Sequence, residues 1–437
     1  MRNYATIACF IALTAALLVI GLYSLGVFQG SRDALVALFA ARAWFPVESP
    51  QAVAWLEILL VVVGAGGISW CLIDVSHGGA RLFLLGFAAA LVAMLAPLLS
   101  VYGVIFDPSA PLVAILLAAT GALVFSTTEW GGRKRVLERT LGTRVSSSTF
   151  RKLLTQRHPL DWNGVEREVT VVTCRIFSPS LEAAPESMLG TEERLKMVNL
   201  FYRTIASSLV ARGGYLDPAS PEQVRVYFGL LSPSQDHAAE ACTAALDLRT
   251  RLRHLRTECE NRWFCSLDCG VGLATDRVTV GIYGSRDQHA LSGLGGVVDY
   301  SRRLSGLNQT YRSDLIVSEA TAVAVEERFA VRPLEMFFDA STQAMTETYQ
   351  LLGATNDLNE EAELRRINFW KGVVAYRGRR YDEALEFLSK ARWAEDDGPL
   401  DYFISRCQEQ LTAAGAPATR RVAELTEEGH ARTTRYL

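Results

Sequence analysis

Residues 167–180 read REVTVVTCRIFSPS. The β-branched, apolar run inside them predicts a strand over Val169–Phe177. One charged residue, Arg175, stands inside that run.

Outward from this strand, from Glu166 to about Gly353, the hydrophobic period alternates between two residues and three to four. Helices are expected over Glu192–Arg212, His237–Arg256 and Val297–Tyr311. Gly213–Gly229 reads as a strand pair around the turn Asp217-Pro218-Ala219-Ser220-Pro221. Phe264–Thr275 and Val278–Tyr283 read as a hairpin around Asp276-Arg277, with further strands at Leu315–Val317 and Thr346–Leu352. This alternation predicts an α+β ferredoxin-like domain over residues 165–354.

The same segments resemble, in order, the motifs of class III adenylate/guanylate cyclases. The opening strand resembles that family's REVTVLFADIRGFT, and GGYLDPASPEQVRVYFG (213–229) resembles its GGTLDKFIGDAVMAFFG. DHAAEACTAALDLRTRL (236–252), GVGLATDRVTVGIYGSRDQHALSGLGGVVDYSRRLSGL (270–307) and DLIVSEATAVAVEERFAVRPLE (314–335) continue the match. What the resemblance implies is a cyclase homology fold, a head-to-tail homo- or heterodimer, and conversion of ATP or GTP to a cyclic nucleotide. Cyclisation needs two divalent ions and positive side chains to neutralise charge that develops at the transferred phosphate.

Carried over position by position, the family's two metal-binding aspartates fall at Arg175 and Glu222, and the glycine before the second at Pro221. Its base-reading positions fall at Pro218 and Ser292, its ribose-orienting asparagine at Asp299, and its transition-state arginine at Arg303, beside Arg302. Only Arg303 keeps the family's residue. A cation at position 175 repels Mg²⁺ by about several kcal/mol in a partly buried site. An ion pair between Arg175 and Glu222 is expected to replace the metal site, with direct phosphate contact by Arg175 as the alternative. No cofactor is therefore expected; Mg²⁺ or Mn²⁺ enters only if residual cyclase activity survives.

Before this domain, residues 1–130 hold four apolar stretches, about 4–25, 53–73, 82–102 and 111–127, read as spans of a lipid bilayer. Arg133, Lys134, Arg135 and Arg139 crowd the exit of the fourth, and Arg81 lies in the short second loop. The positive-inside rule then places the N-terminus and the later domains on the cytoplasmic side, and the resemblance implies a bacterial inner membrane. Ala34–Phe45 has helical spacing suited to the outer interface, and Gly64, Gly66 and Gly67 are expected to permit close helix packing. Glu57 is expected to reach the headgroups, with a functional polar contact as the alternative. Residues 131–164, containing VLERTLGTRVSSSTFRKLLTQ, read as a coupling helix or linker.

After the domain, residues 362–412 resemble a tetratricopeptide-like helical hairpin, with Gly372, Tyr376, Tyr381, Ala384 and Ala391 at its packing positions. A membrane or cytosolic protein partner is expected there, or else the hairpin is a cap on the preceding domain. Residues 413–437 are expected to be a flexible tail. A net charge of −3, without a basic stripe, excludes nucleic acid as a partner class. Of the eight cysteines, Cys265 and Cys269 alone sit close, and no second pair completes a zinc site. The whole reads as a multi-domain protein: four-helix transmembrane block, cyclase homology domain, helical hairpin. Its expected role is that of a catalytically inactive signalling or scaffolding cyclase homologue. Residual or heterodimeric cyclase activity and a structural place in an envelope complex are the alternatives.

Overall fold

The computed structural model describes residues 2–41, 51–75, 78–102, 104–156, 162–177, 190–217, 223–264, 267–285, 289–339, 344–412, 421–425 and 431–435. Pro218, Pro221, Glu222 and Cys265 lie outside the described residues. The chain divides into two compact units, Met1–Arg139 with Arg151–Arg157, and Thr140–Phe150 with His158–Leu437.

The first unit contains α1 (Arg2–Ser24), α2 (Gln29–Ala41), β1 (Gln51–Ala52), α3 (Ala54–Asp74), α4 (Gly78–Ser100), β2 (Val104–Ile105) and α5 (Ser109–Thr127). Tyr4–Ser24, Ala54–Asp74, Gly78–Ser100 and Ser109–Thr127 are each long and apolar enough to cross a membrane. Ala110, Ala114, Ala118 and Ala122 form a buried small-residue stripe on α5, in one cluster with Val61, Ala65, Ile68 and Leu72 of α3. Small side chains let two helix backbones approach closely where lipid offers no hydrophobic drive. The glycine expectation holds only at Gly64, where a Cβ would lie 3.2 Å from Ile115 Cγ1; Gly66 and Gly67 meet nothing within 4 Å.

Two polar residues depart from expectation. Arg81 is not in a loop: α4 begins at Gly78, and Arg81 Nε donates to the Val75 carbonyl at 2.8 Å, satisfying an end of α3. Glu57 is 1% exposed and is tied into the helix bundle rather than reaching outward. It accepts from the Tyr23 hydroxyl at 2.6 Å and the Asp107 amide at 3.0 Å, with Arg32 at 3.5 Å. A buried carboxylate needs such partners, and these come from the chain on three sides of it.

Helices α6 (Glu129–Leu141) and α7 (Ser147–Thr155) carry the connector. The second unit then runs β3 (Val165–Ile176), α8 (Thr191–Ala211), β4 (Tyr215–Asp217), β5 (Gln223–Phe228), α9 (His237–Trp263), β6 (Cys269–Gly284), β7 (His289–Leu294), α10 (Gly296–Tyr311), β8 (Leu315–Ser318), α11 (Glu319–Val325), β9 (Phe329–Asp339) and β10 (Ala344–Ala354). In the sheet the order is β9-β10-β8-β6-β3-β5-β4, with β7 paired to the far end of β6. Apart from the parallel β6–β8 pair, these neighbours are antiparallel.

Side chains alternate across this sheet. Val172, Cys174, Ile176, Val224, Val226, Phe228, Val271 and Leu273 share one core cluster with Met197, Phe201 and Ile205 of α8 and Ala241, Ala245 and Leu248 of α9. The opposite face receives α10: the Thr173 and Ser301 hydroxyls meet at 2.8 Å. Gly270 and Gly272 let this helix down onto β6, since a Cβ there would lie 2.4 Å from the Ser305 carbonyl oxygen and 2.3 Å from that of Ser301.

The hairpin expected around Asp276-Arg277 is corrected. Those residues lie in the middle of a single 16-residue strand, and the fold-back comes after Gly284. β3 pairs with β6 from Val165–Val280 to Ile176–Cys269 without a break, so the long partner carries the polar pair straight through.

After the sheet, α12 (Glu360–Arg377), α13 (Tyr381–Ser389) and α14 (Gly398–Thr412) pack each against the next. Gly372 allows the first contact, for a Cβ there would sit 2.7 Å from Leu388. Ala384 and Ala391 are fully buried. Within the stretch read as a flexible tail, β11 (Arg421–Leu425) and β12 (Ala431–Arg435) pair antiparallel, and β11 runs parallel to β9 at Ala423–Phe337 and Glu424–Phe338. The outer strand β9 thereby gains a partner for an otherwise open edge.

Candidate functional site

The face of the sheet opposite α8 and α9 is polar at its β4 side. Strand register alone gathers the residues: Arg175 stands opposite Gln223, Thr173 opposite Arg225, and Arg225 opposite Asp217. Arg175, the residue before the last of β3, has its guanidinium 5.8 Å from the Phe177 ring centre. Glu222, the residue before Gln223 in sequence, lies outside the described residues, and with it the expected ion pair to Arg175.

At the other expected position, Ser292 is 7% exposed on β7 and donates to Asp217 Oδ2 at 3.3 Å. Asp217 directly precedes Pro218 in sequence; Pro218, the other expected base-reading position, lies outside the described residues. The same carboxylate oxygen accepts from the Tyr227 hydroxyl at 3.3 Å and Arg225 at 3.2 Å. Its other oxygen, Oδ1, is buried without a hydrogen-bond partner among the described residues. Burial raises the Asp217 carboxyl above its ordinary range against the opposing pull of Arg225, Ser292 and Tyr227. Burial likewise pushes the Tyr215 phenol up to about 12, and its hydroxyl donates to the Leu291 carbonyl at 2.7 Å.

Asp217, Arg225 and Tyr227 did not emerge from the sequence as site residues. Their signal is there in retrospect: in YLD and QVRVYF, strand alternation sets Tyr215, Asp217, Arg225 and Tyr227 on one face. Their gathering with Ser292 needs the fold-back of β7, which local pattern does not reveal.

Arg303 lies on α10 and is 7% exposed. Its guanidinium is 3.6 Å from Asp299 Oδ2, one turn earlier, and 5.6 Å from the Tyr300 ring centre. Asp299 also accepts two hydrogen bonds from Arg302, at 3.0 and 2.7 Å. The expected ribose and transition-state positions are thus coupled to each other along a single helix.

Arg175 does not fit a ligand of a divalent ion, and Glu222 lies outside the described residues. One expected ligand position is a guanidinium. Among the described residues no group of three or more His, Cys, Asp or Glu side chains converges as a metal site. Catalytic Mg²⁺ is normally held by carboxylate oxygens together with substrate phosphates.

No family model matches the chain. It is similar to the terminal-differentiation-specific adenylate cyclase of Dictyostelium discoideum, at 20% identity over 235 residues, covering 52% of this chain and 11% of that protein. It is also similar to adenylate cyclase 1 of Rhizobium meliloti (strain 1021), at 20% identity over 168 residues, 38% of this chain and 25% of that protein. The chain therefore spans only a minor part of the length of these relatives. Among solved structures, the adenylyl cyclase CyaB from P. aeruginosa is 19% identical, with a TM-score of 0.40, covering 45% of this chain and 98% of that one. The collinear motifs and the two curated relatives agree, and together they support a class III adenylate/guanylate cyclase homology domain in the α/β part of this chain.

Proposed function

We propose that this protein is a membrane-anchored class III cyclase homologue that does not itself cyclise a nucleotide and acts through protein contacts of its cyclase-like domain. The observation that carries this reading is Arg175. It is the residue before the last of β3, where the family resemblance requires a metal-binding aspartate, and it stands in register with Gln223, which follows Glu222 in sequence. A fixed guanidinium repels a divalent ion where catalysis needs an anion, at a cost of about several kcal/mol. The bond from Ser292 to Asp217 supports the same reading, because the one expected base-reading position with a polar side chain already donates within the chain. The ion pair of Arg303 with Asp299 weighs against its donation to a partner's site across a dimer.

In this reading the four apolar helices anchor the chain in a bacterial inner membrane. The basic cluster 133–139 favours the cytoplasmic side for both ends of that block. Homo- or heterodimerisation through the domain, and a protein partner at the tetratricopeptide-like helices, are the contacts it would use.

The test is a cyclase assay on the full chain in detergent micelles with ATP or GTP and Mn²⁺, reading cyclic product by mass spectrometry. Wild type is expected to stay at the blank. Product above blank from wild type, abolished by Arg303→Ala, overturns the proposal.

A further inference from the structure

Beneath the sheet, on the side away from the candidate site, a line of buried hydroxyls crosses an otherwise apolar layer. The Ser318 hydroxyl caps α11 by accepting from the Thr321 amide at 3.2 Å, and it also accepts from the Thr275 amide at 3.4 Å. It then meets the Thr321 hydroxyl at 2.9 Å, which meets that of Thr275 at 2.9 Å, which meets that of Thr170 at 2.8 Å. The Thr170 hydroxyl ends the line at His237 Nδ1, 2.9 Å away. Every member is buried.

Donor and acceptor capacity fixes the direction of this line. A serine oxygen has two lone pairs and one proton. Both Ser318 lone pairs take amide N–H groups, so its proton must go to Thr321. Thr321 then donates to Thr275, Thr275 to Thr170, and Thr170 to His237 Nδ1, which leaves no buried hydroxyl proton unused. Nδ1 is therefore an acceptor, and the neutral ring carries its proton on Nε2, the nitrogen 4.0 Å from Glu168.

We infer that His237 is a proton-sensitive element whose charge state is tied, through this one-way hydroxyl line, to the cap of α11. A proton added at Nδ1 would face the Thr170 proton. Relief would require all four hydroxyls to turn, and at Ser318 the turned line meets two N–H donors. Protonating His237 thus works against the α11 cap, four side chains away. Buried polar networks are costly when only partly satisfied, so the two ends are coupled.

Access exists on the Nε2 side, where His237 lines a cavity of about 480 Å³ with Glu166, Arg167, Glu168, Pro233, Ser234 and Gln235. The charged groups around the ring are Glu168, Glu166 and Arg167 on β3, and Asp236 and Glu240 on its own helix segment, Asp236 being paired with Arg328 at 2.8 Å. From α11 the line is reached through the Thr321 hydroxyl, and Glu319 is the acidic residue of that helix's first turn. Burial lowers the His237 ring below its ordinary range, against the raising pull of Glu168. The folded state then binds fewer protons than the unfolded, so this contribution to stability is full above the ring's ordinary value and drains as pH falls below it.

The test is nitrogen NMR of the full chain in detergent, selectively ¹⁵N-labelled at histidine, with the His237 signals assigned by His237→Gln. Wild type is expected to show the Nε2–H tautomer and to titrate below the ordinary histidine range. Ser318→Ala and Thr321→Val, which leave the ring's own contacts intact, are expected to move that titration upward, because the hydroxyls nearer His237 become free to turn. An Nδ1–H tautomer in wild type, or titration unchanged in both variants, overturns the inference. Should either variant fail to fold, the other variant and the wild-type tautomer still decide it.

Discussion

Asp217 shows how a single side chain can be costly and still be held. Its carboxylate is 3% exposed and leans on Arg225, whose guanidinium lies 3.2 Å away. Arg225→Ala is expected to destabilise the domain by about 1–3 kcal/mol at neutral pH, because it leaves a buried carboxylate without its cation. The sign of the pH dependence follows from the raised Asp217 carboxyl: as pH falls through its folded value the group protonates, needs no cation, and the cost shrinks. Thermal melts of wild type and variant from pH 7 down to pH 4 check this, and a gap constant across that range would refute it. Asp217→Asn, which removes the charge and keeps the shape, should cost less than Arg225→Ala. A buried ion pair is worth little net, while a broken one is expensive.

At the scale of elements, the descent of α10 onto β6 depends on two glycines. Gly272→Ala would put a Cβ 2.3 Å from the Ser301 carbonyl oxygen and 2.4 Å from the Ser305 amide. Both are backbone atoms, so the whole helix must move, at an expected cost of about 1–3 kcal/mol or more. Gly281, on the same strand, meets nothing within 4 Å, and Gly281→Ala is expected to be neutral or slightly stabilising. Denaturant midpoints of the two variants form a matched pair; equal losses would show that the glycines act through strand propensity rather than through helix approach.

At the scale of the whole second unit, the helices after the sheet are part of its body. Arg332, 2% exposed on β9, pairs with Asp397 at 2.5 and 3.1 Å, bonds Gln350 at 2.7 Å, and lies 4.2 Å from the Phe369 ring centre. Burial pushes the Asp397 carboxyl up, and Arg332 with the Trp393 and Leu400 amides more than reverses that, leaving it below its ordinary value. Gly398 sits so close to the end of α10 that a Cβ would lie 2.5 Å from the Tyr311 carbonyl oxygen. A fragment ending near residue 355 would strip Arg332 of Asp397 and bare the sheet beneath α12. Asp397→Asn is expected to cost about 3–5 kcal/mol, and Arg332→Met with Asp397→Leu together less than that single change. A urea titration of the full chain reads both, and additive losses would contradict the pairing.

Local pattern carries much of this protein. Apolar runs of about 20 residues announce the four long helices, and a period near 3.6 announces α8, α9 and α10 to within a few residues except at the far end of α9. The opening strand and the collinear motifs announce the family, and the substitution at Arg175 is visible in the sequence alone, because residue type at a motif position is a one-dimensional fact. Three things needed the folded chain. Asp276 and Arg277 look like a turn until an unbroken partner strand, β3, carries them through. Glu57 looks like a headgroup-seeking acid until Tyr23, Arg32 and Asp107, distant in sequence, close around it. Asp217 and Ser292, like His237 and Ser318, lie 75 and 81 residues apart, and only strand register and packing join them. Burial and hydrogen-bond partnership belong to pairs of residues in space, so tertiary structure decided what each of these polar side chains does.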